Sequence, residues 1–490
     1  MAENKTTRLP KHFKFAVIVG LATGLYPIIF YYTNNFSLIN SWKHLVFFIG
    51  LFVVAPLMGF ITLQFLRRLD WVEKRSAFLF SFFNVALFLC FIQLCVYAKI
   101  QWVPTLVILA VALLFALFLR KFFKKVIVLQ ITLALIGLFW LFPTIKNQWT
   151  YSNEWTNQPD DIEQVQFKKR PNVYYIQPDG YVNISEMGKG AYNFDNADYW
   201  NFLRENGFKI YPNIRSNYSS TLVSNSATFT MKHHYYNNGF NFSEIANARN
   251  VIISDNPVLN IFKNNGYKTH FLAEGSYLLS NFPDMGYDVC NFDYGEIALM
   301  TDGFQREEDI LVPIEKYLNE DEDRSKFFFI EIFKPGHVQS LERLSKGAEE
   351  EAEIYQQNLA ISNGRLKKII KMIREKDPNG LILIMADHGG YLGYDYMLEV
   401  REKTMDRDRL YSAFSTQLSI KWPDGNAPEI DRHFKSGINT FRILFSYLAE
   451  DQKYLEYLQD NSSYTIINSG APKGVYKCID DSGNIVFKKH

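Results

Sequence analysis

The sequence predicts a two-part α/β protein: a five-helix transmembrane anchor, then an exported domain whose mainly parallel sheet is sandwiched by helices. Three observations predict it. Five long segments lack Asp, Glu, Lys and Arg, the net charge changes sign partway along the chain, and beyond that point short apolar runs alternate with helix-like stretches.

The 490 residues carry 52 basic and 51 acidic side chains, a near-balance that conceals two opposite regions. Up to Pro143 there are 14 Lys and Arg against 3 Asp and Glu, and after it 38 against 48. Such asymmetry argues against one uniform globule and against a basic nucleic-acid-binding surface in the larger part. Disorder is excluded too, since 48% hydrophobic residues supply ample apolar surface to bury.

The uncharged segments run from Phe15 to about Tyr32, His44 to Leu66, Ser76 to Ala98, Ile100 to Leu119 and Val126 to Ile145. Each approaches or exceeds the roughly 20 residues a helix needs to cross a hydrocarbon core. The first lacks a small-residue cleavage site followed by soluble sequence, so it reads as a span and not a removed signal peptide. Basic residues flanking spans are retained on the cytoplasmic side. Lys5, Arg8, Lys11 and Lys14 precede the first span. Arg67, Arg68, Lys74 and Arg75 lie between the second and third, and Arg120, Lys121, Lys124 and Lys125 between the fourth and fifth. The alternate loops hold only Lys43 and Lys99. A cytoplasmic N-terminus and five spans place everything after about Ile145 outside the cytoplasm. No ionisable Asp, Glu, Lys or Arg lies within the spans, so they read as an anchor and not an ion relay. Cys90 and Cys95 fall in the third span as small apolar packers. Cys290 and Cys478 fall in the exported part, where a disulfide and two buried thiols are equally open alternatives.

The expected organisation is a transmembrane domain over 1–145, a polar, turn-rich linker over 146–170 and a catalytic domain over 171–490. In the last, the runs Asn172 to Ile176, Lys268 to Leu272, Phe327 to Phe333, Leu381 to Met385 and Thr416 to Lys421 read as strands. Helices are expected at Asn196 to Glu205, Asn256 to Asn264 and Glu351 to Ile373. No internal repeat is present.

Open α/β sheets gather ligands beyond the carboxyl ends of their strands. Two predicted strands end in acidic punctuation, Gln177-Pro178-Asp179-Gly180 and Met385-Ala386-Asp387-His388-Gly389-Gly390. Carboxylates with an imidazole suit Zn²⁺ or Mn²⁺, although Asp-Gly and Asp-His-Gly-Gly also occur as plain turn residues. A third element is the hydroxyl-rich turn Asn217 to Thr228, which opens into a helix continuing to Met231. A hydroxyl at a helix N-terminus faces free N–H groups and the positive end of the dipole, which favours a phosphate or sulfate nearby. A Ser or Thr cap accounts for one hydroxyl, not six.

In this order and spacing the three elements resemble the alkaline phosphatase superfamily in its sulfatase-like branch. The resemblance covers roughly Asn172 to Leu448, including Gly437-Ile438-Asn439-Thr440-Phe441-Arg442, similar to a recurrent late helix of the branch. The layout of anchor and exported domain is similar to the membrane phosphoethanolamine transferases and the lipoteichoic-acid-type phosphoglycerol transferases. The resemblance implies that Asp179, Thr221, Asp387 and His388 ligate one divalent metal, Zn²⁺ or Mn²⁺, and that Thr221 is also the nucleophile. It implies a bacterial inner-membrane enzyme moving a phosphoryl-linked headgroup from a phospholipid to an envelope glycan or lipid through a covalent threonine intermediate. A membrane-tethered phosphodiesterase, phosphatase or sulfatase-like hydrolase is the alternative, and a catalytically silent scaffold is a third. The transferases usually have Glu where this chain has Asp179, and their loop carries more His.

His337, in Phe333-Lys334-Pro335-Gly336-His337, is placed like a substrate-contacting His of the branch, able to protonate a leaving oxygen or bind a second metal; a surface turn is the alternative. Glu331 and Lys334 lie close by. His270 reads as a satisfied core residue, and His233, His234 and His433 as solvated helix positions. Formylglycine-type sulfatases need Cys or Ser before x-Pro-x-Arg, a context absent around Thr221, Cys290 and Cys478. Hairpin-like punctuation stands at Asp480 to Asn484, and the acidic run Glu349 to Glu353 reads as a solvated face.

Overall fold

The computed structural model describes residues 11–238, 245–300, 307–320 and 323–490; Lys5 and Arg8 of the first basic flank lie outside the described residues. The chain divides into two compact units. One comprises Met1–Tyr151, Ser280–Phe282 and Ala298–Gly303; the other comprises Ser152–Leu279, Pro283–Ile297 and Phe304–His490.

The first unit contains α1 (Lys11–Ile39), α2 (Trp42–Leu66), α3 (Asp70–Tyr97), α4 (Trp102–Leu114) and α5 (Phe123–Trp149). Within α2, the turns Ile49–Val54 widen to π-helical just before Pro56, which has no N–H to return to the preceding turn. Among the described residues four helical runs are long and apolar enough to cross a membrane, the last being Trp102–Trp149. The sequence places two spans there. The 3₁₀ turn Arg120–Phe122 joins the two, and Leu119 just before it leaves helical geometry at φ −115°, ψ 5°. The direction reverses there. Thr105 of α4 bonds Gln93 near the end of α3 at 3.0 Å, whereas Phe115 packs with Ala16 and Phe80 near the beginnings of α1 and α3. Phe123 belongs to that same cluster, and Leu141 reaches the cluster of Ile28 and Ile39 at the other end.

Contacts between Phe13 and Phe65 (6.5 Å) and between Phe15 and Phe123 (6.2 Å), with the Arg67–Glu73 ion pair (2.5 Å), bring three basic segments to one end of this unit. Between the ends, Asn84 donates to Thr23 Oγ1 (2.7 Å) and to Gln130 Oε1 (3.0 Å), and accepts from Gln130 Nε2 (3.0 Å). These buried neutral groups satisfy one another where water is excluded.

The second unit is built on a seven-stranded sheet of order β2-β7-β6-β1-β5-β3-β4. Its strands are β1 (Val173–Pro178), β2 (Lys209–Ile210), β3 (Lys268–Ala273), β4 (Val289–Cys290), β5 (Lys326–Ile332), β6 (Leu381–Met385) and β7 (Leu418–Lys421). The five strands from β6 to β4 run parallel, while β7 and β2 pair antiparallel at one edge. Strands β1, β5 and β6 are buried throughout, which is why they read as unbroken apolar runs.

Helices cover both faces. On one, α6 (Ala197–Glu205) and α9 (Ala348–Lys376) pack Leu203, Leu366, Ile369 and Ile373 into a cluster with Tyr174, Phe328 and Ile382. On the other, α7 (Thr221–Thr230), α8 (Pro257–Asn264) and α10 (Thr440–Ala449) supply Phe229, Phe262 and Phe441 against Tyr175, Phe327 and Phe329. Helix α8 starts where its sequence says it should: Asn256 accepts from Leu259 N at 2.8 Å, and Pro257 occupies the first helical position. The acidic run on α9 is only partly solvated. Glu351 is buried and accepts from the backbone N–H groups of Gln339 (3.0 Å) and Lys346 (3.2 Å), tying down the loop after His337.

The segment expected as a linker is fastened to this unit. Buried Arg442 of α10 grips Asp160 through both terminal nitrogens (2.7 and 3.1 Å) and Gln158 through one (2.8 Å). A second, antiparallel sheet joins β8 (Ser463–Ile467), β9 (Gly474–Ile479) and β10 (Ile485–Lys489), with the expected turn closed by Asp480 N to Asn484 O at 2.9 Å. Cys290 and Cys478 are both free thiols, so of the two alternatives the disulfide is not formed.

Candidate active site

Register alone brings the two acidic strand ends together. β1 and β6 are parallel neighbours with Val173 opposite Leu381 and Ile176 opposite Ile384, which carries Asp179 level with Asp387 beyond the carboxyl ends. Gly180 has φ +66°, and a Cβ there would lie 2.0 Å from Gly336 O; only glycine allows the β1 and β5 ends to approach this closely. Gly389 does not adopt positive φ. It is needed for space, since a Cβ would meet Ser412 O at 2.1 Å, so Asp-His-Gly-Gly is more than a turn.

Asp387 Oδ1 accepts from its own neighbour's N–H, His388, at 3.0 Å and from Gly180 N at 3.4 Å, which aims its other oxygen into the site. His388 Nδ1–H donates to Gly389 O at 2.9 Å, leaving Nε2 as the free lone pair. That nitrogen lies 3.3 Å from Asp179 Oδ1, 3.4 Å from Asp387 Oδ2 and 3.3 Å from Thr221 Oγ1. Asp179, Asp387 and His388 form a group whose ligand atoms all lie within 4.8 Å of one another. Asp179 Oδ1 and Asp387 Oδ2 are buried with no hydrogen-bond partner. Two unpartnered carboxylate oxygens and one imidazole lone pair are a donor set that fits a divalent cation, whose charge offsets their desolvation.

Thr221 reaches this cluster because it is the first residue of α7, after Ser220 in extended conformation. Several neighbouring hydroxyls are engaged away from the cluster. Ser224, Ser226 and Thr230 donate to the carbonyls of Tyr218, Leu222 and Ser226 at 2.6–2.7 Å, and Ser219 pairs with Thr465 at 3.2 Å. The hydroxyl wealth therefore serves mainly the helix.

His337 stands beside His388 with ring centroids 5.5 Å apart, and its Nδ1–H donates to Val338 O at 2.5 Å. Burial lowers its pKa, so near neutral pH it is uncharged with Nε2 free. Burial first, then the charge of Asp387, raises Asp179 well above the usual carboxylate range. Glu331 of β5 is also raised well above the usual carboxylate range, by burial and by the charges of Asp387 and Asp179.

His233, His234 and His270 differ from their sequence reading. His233 and His234 are buried in the segment after α7, bonded to Asp460 O (2.7 Å) and Val223 O (2.9 Å), because rings of Tyr218, Tyr235, Tyr236 and Tyr464 surround them. His270 is a core residue but not a satisfied one: it stacks on Phe328, and neither ring nitrogen has a partner. His433 lies in a partly exposed 3₁₀ turn.

Sequence reasoning gave no role to Tyr391 or Asn225. Tyr391 is fully buried at φ +63°, its ring edge-on to His388 (5.6 Å) and His337 (6.0 Å). Asn225 lies four residues beyond Thr221, a spacing that by itself announces a shared helix face.

The chain belongs to the sulfatase family, whose model matches residues 183–448. This agrees with the sulfatase-like branch expected from the motifs. No curated protein matches the sequence. Among solved structures it is similar to the C-terminal periplasmic domain of EcEptC from Escherichia coli, with 13% identity over 64% of this chain and 94% of that one, at TM-score 0.43. The C-terminal periplasmic domain of phosphoethanolamine transferase EptC from Campylobacter jejuni shares 12% over 58% and 94%, at TM-score 0.37. The integral membrane protein lipooligosaccharide phosphoethanolamine transferase A from Neisseria meningitidis shares 13% over 88% and 95%, at TM-score 0.39.

Proposed function

We propose that the chain is a membrane-anchored, metal-dependent transferase that moves a phosphoryl-linked headgroup from a phospholipid to an envelope glycan or lipid, with Thr221 as nucleophile. The observation that carries this reading is the meeting of Thr221 Oγ1 with His388 Nε2 beside two unpartnered carboxylates. Asp179, Asp387 and His388, with Thr221, would hold one divalent cation, Zn²⁺ or Mn²⁺. Bound there, it would supply Lewis acidity, lowering the hydroxyl's pKa and neutralising charge on the phosphoryl oxygens.

The Thr221 oxygen attacks phosphorus in line with the diacylglycerol oxygen. Thr221 yields its hydroxyl proton to His337 Nε2 as the Oγ–P bond forms, the P–O bond to diacylglycerol breaks, and the departing oxygen takes that proton. In the second half the acceptor hydroxyl gives its proton to His337 as it attacks phosphorus, the Oγ–P bond breaks, and the released Thr221 oxygen takes that proton back. His337, neutral at rest with Nε2 free, is the proton carrier for the oxygens that leave and enter.

The apolar helices are the anchor in this reading, with five passes, a cytoplasmic N-terminus and the catalytic unit outside a bacterial inner membrane. Support comes from the basic segments that share one end of the first unit. A lipid donor then reaches the enzyme by diffusion in two dimensions.

Incubating the purified chain with phospholipid vesicles and measuring the mass of the Thr221 peptide tests the assignment. A phosphoryl-headgroup adduct on Thr221 is expected, absent from Thr221→Ala, which should also lose all turnover; turnover retained by that variant would falsify it. Asp179, shorter than the Glu usual in transferases, favours a second reading in which water is the acceptor. Release of free headgroup with no acceptor modified would establish that hydrolase.

A further inference from the structure

Beneath the carboxylate–histidine cluster lies a second polar layer sealed from solvent. β1 and β5 pair in parallel with Gln177 opposite Glu331, and side chains two residues apart on a strand share a face. Gln177 and Glu331 therefore sit one level below Asp179, on the face that α7 covers. Thr221, Asn225 and Phe229 succeed one another at four-residue spacing on a single stripe of α7. The first lies by His388, and the third packs on Tyr175 (6.0 Å) and Phe329 (4.9 Å), one level lower again. Asn225 thus stands at the level of Gln177 and Glu331.

All three are at most 1% exposed. Gln177 Oε1 accepts from Tyr175 OH at 2.8 Å, but Gln177 Nε2, Glu331 Oε2 and both polar atoms of Asn225 have no partner. Each such atom costs about 1–3 kcal/mol when left alone, so a layer of four calls for an occupant. Asn225 offers a donor and an acceptor whichever way its amide is turned, Gln177 has its Nε2 donor free because Tyr175 takes Oε1, and Glu331 adds a carboxyl oxygen. A bare cation would face N–H groups, and an anion would face carboxyls. Water, donor and acceptor at once, matches the mixture.

We propose that Asn225, Gln177 and Glu331 are positioning residues that, bridged by ordered water, form a hydrogen-bonded floor holding the Asp179 and Asp387 carboxylates in ligating geometry. The inference rests on the metal-centre reading above and names a device that raises its affinity. Outer hydrogen bonds fix the orientation of metal ligands, and their loss typically weakens metal binding about 10–100-fold.

The test uses the full-length chain in detergent, titrated with zinc chloride against a competing chelator, alongside thermal unfolding of the metal-free protein. Asn225→Leu should lose about 10–100-fold in zinc affinity while the metal-free midpoint stays level or rises, because a buried amide and the water it holds are exchanged for apolar packing. Gln177→Met should behave alike and serves if Asn225→Leu does not fold. A purely structural role gives the opposite pattern, a lower metal-free midpoint with zinc affinity kept, and would overturn the proposal. Wild-type protein that takes up no zinc overturns the metal-centre reading and this inference together. Tight binding by wild type and unchanged binding by both variants overturns the floor alone.

Discussion

Asp179 carries the largest electrostatic burden among the proposed ligands, because burial and the adjacent Asp387 both resist its ionisation and push it up to about 7. A metal must displace that proton. Zinc affinity measured by chelator competition should therefore fall about tenfold per pH unit below neutrality and level off above it, and a flat profile from about pH 8 to 5.5 would contradict the assignment. Asp387→Asn should lower metal content outright, since it removes a charge from a three-member donor set. His337→Gln should cost about 10²–10⁴-fold in turnover with metal content intact, as expected for a proton carrier and not a ligand. At this scale the strand-end motifs were readable because Asp and His next to glycine interrupt otherwise apolar runs. The histidines were not. His233 looks solvated in the sequence because part of its burial arrives from Tyr464, more than 200 residues away, and His234 because part of its burial comes from Trp155. Asn225 was hidden among hydroxyls that bond carbonyls of their own segment.

At the level of elements, composition located the apolar helices and the strands β1, β3, β5 and β6, since each is long or fully buried and its pattern is uniform. Composition did not reveal that β7 runs antiparallel, because a strand buried on both faces shows the same apolar run in either direction. The reversal within Trp102–Trp149 it did mark, by Arg120, Lys121, Lys124 and Lys125 between two apolar runs. The grip of Arg442 on Asp160 was invisible, since two charges 282 positions apart meet only after folding. Arg442 is fully buried and Asp160 nearly so, and removing one partner strands the other in low dielectric. Arg442→Met should lower unfolding stability by about 3–5 kcal/mol in chemical denaturation of the full chain, while zinc affinity stays at the wild-type value.

For the molecule as a whole, acid sensitivity follows from three buried histidines of the second unit. Burial lowers His233 and His270 to about 4 and His234 to about 3, so the unfolded chain binds protons that the folded one refuses. Their contribution to stability is intact above about pH 6.5 and is lost as pH falls toward about 4, at about 1.4 kcal/mol per histidine per pH unit. The unfolding midpoint should drop steeply across that window, and replacing His270 with Phe should flatten the drop.

The sequence by itself determined the division into an apolar, basic part and a larger α/β part, the position of the strand ends that bear Asp179, Asp387 and His388, and the turn that bears Thr221. These are written in local periodicity, in runs of one solvent preference and in the residues that stop a strand. Only the tertiary structure decided which strand ends are neighbours, because sheet order places β6 beside β1 although about 200 residues separate them. It also decided which hydroxyl meets the carboxylates, which histidines lose water, and what lies under the site. Each of those depends on desolvation by residues remote in sequence, a quantity that no short window of the chain contains.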